Sequence, residues 1–185
     1  NSCTAIVGET GAGKTTLIRL LIALINPQGG SIELYDGIEK HESSTLTRRN
    51  FVYIPQGNSL VSGTIRDNLL MGNPDATEEE MRKALHIACA EYVFDLPEGI
   101  DSPITERGGG LSEGQAQRIA VARSILRPGS ILILDEVTSA LDEATEQEML
   151  KRLTQSLIGK TLIFVTHRPA VMEYCTQVLK IEKPS

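Results

Sequence analysis

Apolar positions along the chain fall into two kinds of run. Short stretches at residues 4–7, 31–35, 51–54, 131–135, 161–166 and 177–181 are dense in Ile, Val, Leu, Phe, Tyr and Thr and read as strands. Two of them, "ILIL" from Ile131 and "LIFV" from Leu162, are apolar at every position, as expected of central strands covered on both faces. Helical spacing fills the segments between. Strands alternating with helices predict an α/β fold with a parallel-rich sheet. The "YDGI" that starts at Tyr35 carries an Asp-Gly turn signal.

The middle of the chain breaks this alternation. From 64 to 126 the pattern is helical and offers no convincing strand. "TEEEMRKALHIACA" opens on Thr77 with Glu80 three residues on, a capping box, after which Met81, Ala84, Leu85 and Ala88 share one face. The expected organisation is one domain in three parts: 1–63 and 127–185 as two halves of the sheet core, and 64–126 as an inserted helical subdomain. No internal repeat or low-complexity segment is visible.

Length and composition narrow the class. The 185 residues suit one domain, and a 41% hydrophobic content supplies its core. A net charge of −6 argues against a nucleic-acid partner. The longest apolar run, "LIRLLIALI" from Leu17, is interrupted by Arg19 and is too short to cross a bilayer. The chain begins with Asn1 and enters a strand almost at once, so it is expected to be a piece of a longer polypeptide. Any membrane part is then expected elsewhere in that polypeptide. Cys3, Cys89 and Cys175 are scattered and form no CxxC pair, so neither a disulfide nor a zinc site is expected, and a reducing setting fits.

Three motifs carry chemistry. "GETGAGKT" fits the phosphate-loop pattern G-x-x-x-x-G-K-[ST]. Its glycines let backbone N–H groups curl around phosphate oxygens, and the helix that follows adds its positive end. Gly8, Glu9, Thr10, Gly11, Ala12, Gly13, Lys14, Thr15 and the adjoining Thr16 are the candidate contacts. Lys14 supplies charge to the β- and γ-phosphates, and the Thr15 hydroxyl is suited to Mg²⁺. A glycine turn with a chance lysine is the plainer reading, but the preceding strand and following apolar-faced helix oppose it. "ILILDE" ends a buried strand in two carboxylates: Asp135, placed near Mg²⁺ through water, and Glu136, able to accept a proton from an attacking water. Solvated acids at an ordinary strand end are its alternative.

The third motif, "RGGGLSEGQAQR", spans 107–118. Ser112 and Gln115 form a second capping box, with Ala116, Ile119, Ala122 and Leu126 at helical spacing behind it. Glu113 would be the first helical residue, where a carboxylate gains about 0.3–1 kcal/mol from the helix dipole. Taken alone, the motif is equally a well-capped helix or an anion site.

In this order, the phosphate loop, "LSEGQ" and "ILILDE" resemble the nucleotide-binding domain of an ABC transporter. "LSEGQ" departs from the family's LSGGQ at its third position. Gln56 resembles the Q-loop glutamine, which touches Mg²⁺ and the attacking water. "SALD" at 139–142 resembles the D-loop, and His167 the switch histidine that contacts the γ-phosphate. "SGTIRDNLLMG" and "LPEGIDSPITERGGGLSEGQ", with its "TERG" at 105–108, resemble the exporter branch.

The resemblance implies a P-loop NTPase core with an inserted helical subdomain, truncated on its N-terminal side so that the adenine-stacking aromatic lies upstream of Asn1. It implies ATP hydrolysis, with Glu136, His167, Gln56 and Lys14 catalytic and Mg²⁺ held by Thr15, Gln56 and Asp135. It implies a second ABC ATPase domain, in a homo- or heterodimer, packed head to tail, so that Ser112, Gly114 and Gln115 meet the ATP of the partner. It further implies a transmembrane domain, a position on the cytoplasmic face of a membrane, and no nucleic acid. A soluble ABC-type ATPase of DNA repair or translation is the alternative, weakened by the acidic charge and the lack of coiled-coil inserts or tandem cassettes. A non-catalytic cassette is weaker still, since Glu136 and His167 are both present. Arg118 and Arg123 are expected to be solvated or subdomain-pairing charges, and His41 and His86 surface or subdomain residues rather than ligands. Phe51 and Tyr53 are expected in the strand core.

Overall fold

The computed structural model describes residues 2–35, 37–57, 59–105 and 110–183. Along its first half run β1 (Cys3–Val7), α1 (Lys14–Leu21), β2 (Glu33–Tyr35), β3 (Lys40–Glu42), β4 (Phe51–Ile54), β5 (Gly63–Thr64), α2 (Ile65–Leu70) and α3 (Glu78–Ile87). Then follow β6 (Pro103–Ile104), α4 (Glu113–Leu126), β7 (Ile131–Asp135), α5 (Glu143–Ser156), β8 (Thr161–Val165), α6 (Pro169–Glu173) and β9 (Gln177–Lys180). Five strands pair in the order β4-β7-β8-β1-β9, every pair parallel. The expected α/β class with a parallel-rich sheet is what the chain forms.

Side chains alternate across this sheet as strand geometry dictates. Val52, Ile54, Leu132, Leu134, Leu162 and Phe164 face one layer. Phe51, Tyr53, Ile133, Ile163 and Val165 face the other, against Ile18 and Ile22 of the α1 region. Burial on both faces is why "ILIL" and "LIFV" lack a polar side. The first layer is continuous with the helices: Leu69, Met81, Leu85, Ile119, Met149 and Leu150 belong to the same cluster. Helix α4 is its hub, with Ala116, Ile119, Ala120, Val121 and Ala122 all buried.

Both capping boxes form. The Thr77 hydroxyl accepts from the Glu80 N–H while the Glu80 side chain accepts from the Thr77 N–H, and Ser112 and Gln115 do the same at α4. Met81, Ala84, Leu85 and Ala88 are all buried, as their spacing predicts.

Three local features depart from the pattern. The apolar run from Leu17 continues to Ile25, yet α1 stops at Leu21. Ala23 takes a left-handed φ of 52°. The Leu24 N–H then donates to the Arg19 carbonyl at 2.8 Å and the Ala23 N–H to the Leu20 carbonyl at 3.0 Å. This is a Schellman stop made with alanine in place of glycine. Arg48 reinforces it by donating to the carbonyls of Ile22 and Ala23. Second, the strand expected over 31–35 is one arm of an antiparallel hairpin whose other arm, β3, is polar and exposed and carries no hydrophobic signal. Asp36 of the Asp-Gly signal lies outside the described residues. Third, 64–126 is not strand-free: β6 pairs antiparallel with β5 over two residues, too few for a period to show. Of "TERG", only Thr105 lies among the described residues.

Among the described residues no helix is long and apolar enough to cross a membrane.

Candidate functional site

Parallel pairing brings the C-terminal ends of β4, β7, β8 and β1 to one edge, the place where open α/β sheets bind ligands. Gln56 follows β4, Asp135 ends β7 and Glu136 follows it, His167 follows β8, and the phosphate loop follows β1. The Glu136 N–H donates to the Val165 carbonyl and the Thr166 N–H to the Ile6 carbonyl, so the three loops are tied by backbone bonds. A cleft of about 340 Å³ opens there, lined by Thr10, Gly11, Gly13, Lys14, Thr15, Thr16, Gln56, Asp135 and Glu136.

Gly11 and Gly13 have φ of 83° and 103°, values an L side chain rarely adopts. Gly13 is the N-cap of α1 and offers no side chain to the first N–H groups. Those donors and the dipole behind them are left to face an anion in the cleft. The Lys14 ammonium folds back over the loop, donating to the carbonyls of Gly8 at 2.7 Å and Glu9 at 3.0 Å. Gly8 itself is pressed against the residue that follows β9: a Cβ there would lie 2.5 Å from the Ile181 carbonyl oxygen. Ala12 is buried, and the Glu9 carboxylate pairs with Lys183 at 3.6 Å. Gly8, Glu9 and Ala12 therefore shape the loop without lining the cleft.

Glu136 has a φ of 51°, a left-handed conformation uncommon for a non-glycine residue. Such strain concentrates at functional positions. Its Oε1 lies 2.9 Å from His167 Nδ1, while Oε2 is buried without a partner. His167 does not line the cleft; its side chain is 70% exposed and reaches the site through Glu136.

Asp135 is half-buried. Burial pushes its carboxyl above the ordinary range and the neighbouring Glu136 adds to this, while a hydrogen bond from Tyr53 opposes it. The Tyr53 Oη donates to Asp135 Oδ2 at 2.9 Å. Tyr53 is thus a site residue that the strand pattern did not reveal. Its ring packs against the α1-side core as expected, but its hydroxyl reaches a carboxylate on the neighbouring strand 82 positions away. No local signal could have found it, because it depends on β4 lying beside β7.

Burial first, and then the Asp135 contact, push the Tyr53 phenol up to about 12 from 10. A raised phenol stabilises the fold fully below pH 10 and loses that contribution as pH rises toward 12. The unfolding free energy of the wild type should therefore fall more steeply above pH 10 than that of Tyr53→Phe, as read by urea titrations across that range.

Ser112, Gly114 and Gln115 do not reach this cleft within the chain. The Ser112 Oγ accepts from the Gln115 N–H at 3.2 Å, and Gln115 Oε1 accepts from the Ser112 N–H at 2.9 Å. Glu113 is the exposed first residue of α4, as expected. Gly114 has a packing role the sequence did not show: a Cβ there would lie 2.7 Å from the Ala140 carbonyl oxygen. The start of α4 thereby rests on the 139–142 turn, whose Asp142 caps α5 by accepting from the Thr145 N–H.

Arg118 donates to the Cys89 and Gly114 carbonyls, and Arg123 to Ser59. Both are pairing residues rather than solvated ones. His86 is a surface residue, paired with Glu91.

The comparisons with known proteins agree with this geometry. The sequence model of the ABC transporter family matches residues 1–139. The chain is 39% identical over 181 residues to an ATP-dependent lipid A-core flippase of Desulfotalea psychrophila, covering 97% of this chain and 32% of that protein. It is 41% identical over 179 residues to a beta-(1→2)glucan export ATP-binding/permease protein of Bradyrhizobium diazoefficiens, covering 96% of this chain and 30% of that protein. The solved structure of a bacterial Atm1-family ABC exporter with ATP bound superposes on all of this chain with a TM-score of 0.87 at 35% identity, over 33% of that chain. The chain thus spans about a third of the length of the relatives it matches. With a phosphate loop, a strand-end carboxylate pair and a histidine gathered at one sheet edge, and with these matches across its length, the chain belongs to the ABC transporter family as an exporter-type ATP-binding domain of the P-loop ATPase fold.

Proposed function

We propose that this chain binds MgATP in the cleft of Thr10, Gly11, Gly13–Thr16, Gln56, Asp135 and Glu136, and hydrolyses it with Glu136 as the base. The observation that carries this reading is Glu136 itself. It is a strained carboxylate on the cleft wall, with one oxygen engaged by His167 and the other buried and unpartnered. An unpartnered buried carboxylate oxygen is costly, and a water presented to it for deprotonation would satisfy it.

On binding, the Lys14 ammonium exchanges the Gly8 and Glu9 carbonyls for phosphate oxygens, and the N–H groups opening α1 complete the cradle. The Thr15 hydroxyl, Gln56 amide oxygen and Asp135 carboxylate form an all-oxygen donor set on one cleft, which suits a hard cation. Mg²⁺ held there would neutralise charge on the β- and γ-phosphates. Tyr53 orients Asp135 by donating to its Oδ2, and Oδ1 is not used in that bond. His167, held through Nδ1, stabilises charge on the γ-phosphate.

The signature residues complete the site of a second chain. The Ser112 cap uses an acceptor lone pair of the hydroxyl, so its O–H remains a donor. The N–H groups of Glu113 and Gly114 in the first turn of α4 are further donors. Capping and anion binding are therefore compatible at one serine. In this reading 64–126 carries the partner-facing signature, while 1–63 and 127–185 carry the phosphate loop and acids. Dimer closure on ATP and reopening after hydrolysis would drive a transmembrane domain, with this chain on the cytoplasmic face.

The test is the solution mass of Glu136→Gln with and without ATP and Mg²⁺. An ATP-dependent dimer that disappears when Ser112→Arg is added supports the shared site. A dimer that persists in the double variant removes the signature from it.

A further inference from the structure

Away from the nucleotide cleft, the fold brings together two cysteines 172 positions apart. Cys3 opens β1 and Cys175 sits in the turn before β9, with their Sγ atoms 2.9 Å apart. The surrounding backbone holds them in place. Thr176 donates to the Cys3 carbonyl through both its N–H and its hydroxyl, each at 2.9 Å. From there β1 and β9 pair without a break from Thr4↔Gln177 to Val7↔Lys180. A disulfide S–S bond is about 2.05 Å long, so covalent closure needs a sulfur shift of only about 1 Å.

Access and reactivity both favour this pair over the remaining cysteine. Cys3 and Cys175 are part-exposed, and Cys3 lines a cleft of about 220 Å³ with Ser2, Thr154, Leu157, Lys160 and Thr176. Cys89 is buried, and burial pushes its thiol up. The contact with Cys175 holds the Cys3 thiol below its ordinary value, and the same contact pushes Cys175 up. A lower thiol that attacks beside a higher one that resolves is the asymmetry thiol–disulfide exchange uses.

We propose that Cys3 and Cys175 form a thiol–disulfide modification site whose oxidant is a small-molecule disulfide of the glutathione class. The Cys3 thiolate attacks one sulfur of glutathione disulfide and breaks its S–S bond, releasing one glutathione thiolate. The Cys175 sulfur then attacks the Cys3 sulfur of the mixed disulfide and releases the second. The two thiol protons end on the two glutathione molecules, and the protein pair is oxidised by two electrons. The product staples β1 to β9 at one end. At the other end the same strand pair shoulders the phosphate loop, where the Ile181 N–H donates to the Val7 carbonyl at 2.8 Å and the Ile181 carbonyl packs on Gly8. Oxidation is thereby placed to stiffen the strand that positions the loop.

The experiment is peptide mapping, without reductant, of the intact protein treated natively with glutathione disulfide. The expected result is a peptide pair linked through Cys3 and Cys175, with loss of both free thiols and retention of that of Cys89. In Cys175→Ser the reaction should stop at a glutathione adduct on Cys3, and Cys3→Ser should leave Cys175 largely unmodified. Free thiols at both positions in the treated wild type, or a link that forms only after unfolding in urea, would overturn the proposal. So would equal adduct formation on Cys89.

Discussion

Glu136→Gln is expected to lower steady-state ATP turnover by about 10²–10⁴-fold, the range for loss of a general base, while ATP binding persists. The amide keeps the shape of the side chain and can still meet His167 Nδ1, now 2.9 Å from Oε1. What it loses is the basic oxygen, the one that stands buried and unpartnered. None of the loop contacts of Lys14 or the N–H groups of α1 depends on that oxygen, so affinity should change far less than rate. Phosphate release and equilibrium nucleotide binding, measured on the same preparation, separate the two effects. Near-normal hydrolysis would remove Glu136 from the role of base, and lost binding would show that it serves the cleft as a structural element.

Arg168→Ala should destabilise the fold by about 3–5 kcal/mol, because it strands a buried carboxylate. Arg168 follows the switch-like His167 in sequence and donates to Glu146 Oε2 at 2.8 Å. Glu146, on α5, is 3% exposed, and its other oxygen has no partner. The same guanidinium donates to the Ser139 and Leu141 carbonyls, binding the loop after β8 to the 139–142 turn. Removing the cation leaves the carboxylate with no counter-charge among the described residues and frees two carbonyls. Urea unfolding of the single variant should show a large fall in midpoint. Adding Glu146→Leu should recover much of it, since deleting both charges leaves none unpaired. A single variant within about 1 kcal/mol of the wild type would mean that the pair behaves as an exposed one.

Tyr53 and Arg168 show where reading the residues in order stops. Each acts on a partner brought close by pairing or packing of distant elements: Tyr53 on Asp135 across β4 and β7, Arg168 on Glu146 across the turn into α5. Cys3 and Cys175 are the extreme case. Their scattered positions argue against any pairing, yet β1 and β9 are neighbours at one side of the sheet. Gly114 is similar, since its missing Cβ is needed only because Ala140 lies against it. The early stop of α1 has another cause. The hydrophobic run supports continued helix through Ile25, and a left-handed Ala23 with carbonyls taken up by Arg48 overrides it.

By itself the sequence determined what depends on near neighbours. Capping boxes join residues three apart, strand alternation has a period of two, and the phosphate loop is a contiguous run whose glycines and lysine act within one turn. These were enough for the α/β class, for the two capped helices and for the phosphate-loop residues and strand-end acids now found around one cleft, whereas Gln56 came only from the family resemblance. Tertiary structure alone decided which strand lies beside which, and therefore which side chains meet. It tied Tyr53 to Asp135, His167 to Glu136, Arg168 to Glu146 and Cys3 to Cys175, and it kept Ser112 out of the cleft that its own chain's Lys14 lines. The physical reason is that strand order in a parallel sheet is set by burial of both faces against helices, a property of the assembled layers that no single segment carries.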